Sequence, residues 1–144
     1  PSVNTGMVAH LGANYTKFYG ERMKYLAAVR IMIDAGVKCS IHSDAPSGPT
    51  GLKVLDGAIN RYDRKQNMQT DRTQAVSVLE AVRLATINGA YGSFEEDIKG
   101  SIEVGKLADM IVLSDDILAI EPMDIVDVQV DLTMIDGVVE YERA

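Results

Sequence analysis

The chain is poor in the residues that bring chemistry with them. It has one cysteine, Cys39, in 144 residues. A single thiol excludes a disulfide within the chain and suits a reducing compartment, so the cytoplasm is the expected location. It has two histidines, His10 and His42, far apart in sequence. A catalytic zinc site usually takes three protein ligands, so these two do not make one alone. Basic residues are outnumbered, 14 Lys and Arg against 21 Asp and Glu, for a formal net charge of −7. Phosphate binding needs clustered Lys and Arg, so no nucleic-acid partner is expected. The acid is spread along the chain and reads as ordinary solubility charge. No apolar run approaches the ~18 residues that span a bilayer, and no membrane partner is expected. Internal repeats and low-complexity segments are missing as well. The opening residues carry no signal-peptide pattern, although a piece of a longer protein would not show one.

What is present is one strand that ends in polar residues. Val37, Cys39 and Ile41 alternate with Lys38 and Ser40, a pattern suited to a short buried strand. Gly36 opens it. Pro46, Gly48, Pro49 and Gly51 close it, because they do not continue a regular ladder. His42, Ser43 and Asp44 therefore stand where strand gives way to loop.

The rest of the chain arranges itself around that strand. Pro1 to Met7 reads as the end of a strand entering a loop. His10 to Gly20, rich in Gly, Asn and Tyr without a clear period, reads as a loop. Glu21 to Ala35 reads as a helix on Leu26, Val29 and Ile33, stopped by Gly36. Thr50 to Tyr62 is expected to be helical, with Leu52, Leu55, Ile59 and Tyr62 on one face. Tyr62 to Thr73 is polar and reads as a loop. Ser77 and Glu80 form a capping box, followed by a helix to about Thr86 with Leu79, Val82 and Ala85 inward. Asn88 to Phe94 is expected to form a short second helix. From Ser101 the apolar period becomes two. Ala108 to Leu113 is expected to be a buried strand. Val126 to Ile135 and Val138 to Tyr141 flank Asp136-Gly137, a dipeptide that favours a type I′ hairpin turn. Gly105, Lys106 and Asp109 lack the full glycine-rich pattern of a phosphate loop and read as turn and strand-entry residues.

Three stretches carry a family resemblance. The first is Ile41-His42-Ser43-Asp44-Ala45-Pro46 with Ala58-Ile59-Asn60-Arg61 after it. The second is Ala81-Val82-Arg83-Leu84-Ala85-Thr86-Ile87-Asn88-Gly89-Ala90. The third runs from Lys99-Gly100-Ser101-Ile102-Glu103 to Ala108-Asp109-Met110-Ile111-Val112-Leu113. In this order they resemble the closing part of the amidohydrolase superfamily, in particular the subgroup often called amidohydrolase family 3. The resemblance implies an α/β fold. Residues 1–100 would be the last β/α units of a (β/α)8 TIM barrel, whose active sites lie at the C-terminal ends of the strands. Residues 101–144 would be the C-terminal strands of a small β-sandwich whose N-terminal strands are not in this chain. Such a barrel needs about 200 residues or more. With Pro1 first and no initiator Met, the expectation is the C-terminal portion of a longer enzyme.

The resemblance also implies a chemistry. Amidohydrolases hold one or two divalent metals, often zinc, in the barrel mouth. Asp44 would be the carboxylate at the end of strand eight, touching the metal and serving as general base and then acid towards an amide-type C–N bond. On the residues alone, Asp44 reads first as a strand-end cap on loop amides, and it is the resemblance that favours the catalytic role. His42 and Ser43 would stand behind the ligands and orient them; a buried, hydrogen-bonded structural histidine is the alternative for His42. His10, Tyr15 and Tyr19 are candidates for the substrate pocket, against solvated or rim-packed roles. The family's His-x-His pair, its bridging Lys, Glu or Cys and its further histidines would all lie upstream, so the chain alone is expected to be inactive. The expected partners are a small amide-type substrate, the remainder of the parent chain and, through an exposed sheet edge, a second copy. The alternatives are a non-catalytic binding or assembly module of the same descent, or a parent that regulates other enzymes.

Overall fold

The computed structural model of the chain describes residues 1–45 and 51–144. Strand β1, Ser2–Asn4, opens it and pairs in parallel with β2, Ser40–His42. Between them run helix α1 (Gly6–Tyr19), a 3-10 turn (Gly20–Tyr25) and helix α2 (Val29–Asp34). Helix α3 (Leu52–Ile59) follows, then a two-residue-deep hairpin, β3 (Tyr62–Asp63) and β4 (Met68–Gln69). Helices α4 (Val78–Ala85) and α5 (Ile87–Gly92) lead to an antiparallel sheet ordered β5 (Met110–Leu113), β6 (Val130–Ile135), β7 (Val138–Glu142). A 3-10 turn, Pro122–Val126, lies between β5 and β6. None of the described helices is long and apolar enough to cross a membrane.

The core gathers Cys39 just before β2, Ile41 of β2, Val54, Leu55 and Ile59 of α3, and Ala81 and Leu84 of α4, with Ile125 of the second 3-10 turn. Several local expectations appear in place. Gly36 has φ +70°, and the Gly36 and Val37 N–H groups donate to the Ile33 and Met32 carbonyls, closing α2. Ser77 Oγ accepts the Glu80 N–H while the Glu80 carboxylate accepts the Ser77 N–H. Asp136 and Gly137 both have positive φ, as a type I′ turn requires. The Asp136 N–H donates to Asp109 Oδ1, and Lys106 Nζ donates to the Glu96 carbonyl and Ser101 Oγ, so these two motif residues hold turns.

Other expectations are corrected. The segment from His10 to Tyr19 belongs to helix α1, not to a loop. Its buried face is Val8 with four small residues, Gly6, Ala9, Gly12 and Ala13, so beyond His10 it carries little hydropathy signal. Gly12 is needed there, since a Cβ would meet Thr70 Cγ2 at 2.6 Å. The single helix expected over 21–35 is split at Ala27, which has φ 47°. The fully buried Arg61 guanidinium takes the Leu26 and Ala27 carbonyls at 2.9 and 3.4 Å, and a continuous helix would have used those groups itself. The polar stretch after Tyr62 is not loop throughout but contains the β3–β4 hairpin. In α4 the fully buried residues are Ala81 and Leu84; Leu79 and Ala85 are exposed. Strand β5 is not buried, because Ile111 and Val112 are each half exposed. The turn expected at Pro46, Gly48 and Pro49, and the helix start at Thr50, lie outside the described residues.

Candidate functional site

The polar end of the β1–β2 pair is the site that the sequence singles out. Residues Ser2, Val3 and Asn4 pair with Ser40, Ile41 and His42. Register partners in a parallel pair share a face. Val3 and Ile41 therefore go into the core together, and Ser2, Asn4, Ser40 and His42 form the other face. Asn4 Oδ1 accepts the Met7 N–H at 3.2 Å and so starts α1. The buried Thr5 hydroxyl donates to the Val54 carbonyl at 2.8 Å, tying that start to α3. From behind, the Asn88 side-chain amide on α5 donates to the Cys39 carbonyl at 2.8 Å.

Asp44 lies two residues beyond the strand and is exposed, with Ser43 half-buried and His42 exposed. Its φ is 58°. Aspartate is among the few residues that enter the left-handed region without large cost, and such conformations recur where a side chain must be aimed. The alternation of strand β2 ends at His42, so period two no longer fixes the direction of Asp44 relative to His42.

The α1 candidates separate. His10 is exposed and stands one turn into the helix that leaves Asn4. Tyr15 and Tyr19 pack against each other with tilted rings, centroids 5.9 Å apart at an interplanar angle of 39°. At ~1.5 Å per residue, Tyr19 lies about 20 Å along the axis from Gly6, against about 6 Å for His10. The structure thus groups His42 with Asn4, and the two tyrosines with each other.

Two groups of residues escaped the sequence reading. Asn88 bonds the segment that leads into β2, and Asn4, the last residue of β1, starts helix α1; the only signal for Asn88 was its position inside the Ala81–Ala90 stretch. The other group is a buried polar cluster. Asp56, fully buried, accepts from Arg64 Nε at 3.0 Å, Arg64 Nη2 at 2.6 Å and Asn60 Nδ2 at 2.7 Å. Burial lowers the Arg61 pKa to about 10, with Asp71 opposing the shift. Asp63 Oδ2 accepts the Ala13 N–H while the Arg64 N–H donates to the Ala9 carbonyl, two groups that an undisturbed helix pairs with each other.

Among the described residues no group of three or more His, Cys, Asp and Glu is placed to hold a metal ion. With one carboxylate and one neighbouring imidazole, they do not fit a complete metal site. A cavity of about 720 Å³ opens between α4, α5 and β5, and another of about 390 Å³ between α3 and the β5–β7 sheet. Neither is lined by Asp44, His42 or His10.

Comparison with known proteins places these features. The model of the amidohydrolase family matches residues 1–141. An N-substituted formamide deformylase of Arthrobacter pascens is 34% identical over 143 residues, 97% of this chain and 26% of that protein. The crystal structure of an amidohydrolase from Thermotoga maritima superposes with a TM-score of 0.57 at 28% identity, over 80% of this chain and 26% of that one. That of an uncharacterized metal-dependent hydrolase from Pyrococcus horikoshii gives 0.68 at 23% identity, over 84% and 25%, a likeness of fold. The chain spans about a quarter of the length of these proteins. With the match running from the β1 strand through the β7 strand, this chain belongs to the amidohydrolase family.

Proposed function

We propose that the chain is the C-terminal part of a metal-dependent hydrolase that cleaves a C–N bond in a small amide-type molecule, with Asp44 as its proton-transferring carboxylate. The observation that carries this is Asp44 itself, held in a left-handed conformation just beyond a strand paired in parallel with its predecessor. In this reading β1 and β2 are the seventh and eighth strands of a (β/α)8 barrel, with α1 and α2 as the crossover between them. Residues 101–144 are the strands of a companion sheet. Asp44 takes a proton from the attacking water and returns it to the leaving nitrogen. His42 and Ser43 orient it; His10 borders the substrate pocket, and Tyr15 and Tyr19 support the helix that carries His10. A divalent metal, zinc by preference, supplies water activation in such enzymes. The described residues provide too few donors for it, so the site is completed by residues outside this set and the chain alone is inactive. The similarity to a formamide deformylase supports N-substituted formamides as first probes.

The test is Asp44→Asn in the full-length protein. Turnover of an N-substituted formamide is expected to fall by about 10²–10⁴-fold with the melting temperature kept. Retained turnover would sink the assignment. A zinc titration of this chain alone is expected to show no binding; stoichiometric binding would reveal ligands not recognised here.

The half-exposed apolar residues of β5 and β7 favour a second reading, a module that assembles through its sheet. A dimer whose size is insensitive to Asp44 and which has no hydrolase activity would support it.

A further inference from the structure

The Ala85-Thr86-Ile87-Asn88-Gly89-Ala90 stretch runs from the end of α4 into α5 and reaches across to the segment that leads into β2. Asn88 Nδ2 lies 2.8 Å from the Cys39 carbonyl oxygen, a bond between residues 49 apart in sequence. A second contact lies beside it: Lys38 Nζ stands 4.3 Å from the centroid of the Tyr91 ring. Helix α5 therefore grips Lys38 and Cys39, the two residues that lead into β2. Strand β2 needs that grip. It is three residues long, and among the described residues its one strand partner is β1. The Cys39 carbonyl would otherwise be a half-buried acceptor without a partner, a costly state.

We propose that Asn88 is a positioning residue for Asp44: by donating to the Cys39 carbonyl it fixes β2 along its own axis and so sets where the Ser43-Asp44 corner leaves the strand. Asn88 touches no reacting atom. The inference rests on the catalytic reading of Asp44 given above, and its logic is that a displacement of about 1 Å at a reacting group can cost about 10²-fold in rate.

Asn88→Asp is the sharpest variant. It keeps the shape but removes the N–H donor and sets a carboxylate against a carbonyl. In the full-length protein, with an N-substituted formamide as probe, kcat is expected to fall about tenfold to a hundredfold while KM stays within about twofold. Hydrogen exchange of the peptide amides at residues 40–44 is expected to speed up about tenfold, with residues 78–85 unchanged. Should Asn88→Asp not fold, Asn88→Ala is read in the same way. A lowered melting temperature with kcat unchanged would overturn the inference, as would unchanged exchange at residues 40–44, which needs no turnover. Asp44→Asn separates the two claims. If that variant keeps its turnover, the catalytic reading fails; if it loses turnover while Asn88→Asp moves neither kcat nor exchange, only the positioning role fails.

Discussion

The helical part of the chain and the β5–β7 sheet use apolar residues in opposite ways. In the helical part, Leu55, Ile59, Ala81 and Leu84 are closed off from water, and fully buried polar groups are tied between elements, Asp56 to Arg64 and Asp63 to helix α1. In the sheet, Ile111 and Val112 follow one another on β5 and are each 50% exposed. Successive strand residues face opposite sides, so neither face of β5 is fully covered. The edges differ as well. Strand β7 carries Glu140 and Glu142, which discourage pairing with another strand, while β5 carries no charge at all. The helical part has a closed core, with Phe18, Ile31 and Phe94 left exposed on its outside. The sheet has the composition of one layer of a larger packing.

The largest effects that probe this contrast lie in the helical part. A Cβ on Gly57 would overlap the Thr5 carbonyl oxygen and stand 2.7 Å from the Thr5 carbonyl carbon. Both are backbone atoms and cannot swing aside, so Gly57→Ala is expected to force α1 off α3 and leave little folded protein by circular dichroism. Asp56→Ala comes next. It strips the partner from Arg64 and loosens Asn60, which also reaches the Pro122 carbonyl. Breaking a buried ion pair by removing one partner costs about 3–5 kcal/mol, and the partial exposure of Arg64 favours the lower end. Urea denaturation measures it.

A matched pair of truncations compares the two regions directly. Leu84 is buried in the core, and Leu84→Ala is expected to cost about 3 kcal/mol. Ile111→Ala in the same chain is expected to cost about 1 kcal/mol or less, since half of that side chain already meets water. The contrast sharpens in the full-length protein. If further strands cover the sheet there, the cost at Ile111 rises towards that at Leu84. An unchanged small cost would mean that β5 stays bare.

The same contrast explains what the sequence made legible. Features set by one or two neighbouring residues were readable: the Ser77–Glu80 capping box, the stop at Gly36, the turn at Asp136-Gly137 and the strand around Ile41. Helix α1 was not, because apart from Val8 its buried face is made of glycine and alanine and its hydrogen bonding is completed by Asp63 and Arg64, some fifty residues on. The break at Ala27 was hidden for the same reason, since the Arg61 guanidinium that claims its carbonyl comes from another segment. The sheet misled in the other direction: an apolar run reads as buried whether or not its covering layer is in the chain. Of the candidate site, the strand end at His42, just before Asp44, was legible from the prolines, glycines and polar residues around it. The left-handed backbone of Asp44 and the grip of Asn88 on Cys39 were not, for both depend on packing.

The smallest effect tests whether polar anchoring in the helical part reaches the surface. Glu80 accepts from the Ser77 N–H at 2.8 Å and from Arg30 Nη1 at 2.8 Å. The Ser77 N–H first, and the Arg30 guanidinium after it, hold the Glu80 carboxyl below the usual carboxylate range. A carboxyl that is more acidic in the folded state contributes stability above its unfolded pKa of about 4.3, and loses it as pH falls through the lower folded value. Glu80→Gln keeps an oxygen for the Ser77 N–H but removes the charge facing Arg30. The variant is expected to be about 1 kcal/mol or less below the wild type above pH 5, a modest figure because both partners of the ion pair are partly exposed. The gap should narrow as the pH falls below the unfolded pKa and through the lowered folded value, where the wild-type carboxyl takes up its proton. Melting temperatures of both proteins along an acid titration from pH 6 decide it. A gap that stays constant down the whole titration would show that the charge on Glu80 does not hold α4 to α2, which would leave the helical part anchored by buried groups alone.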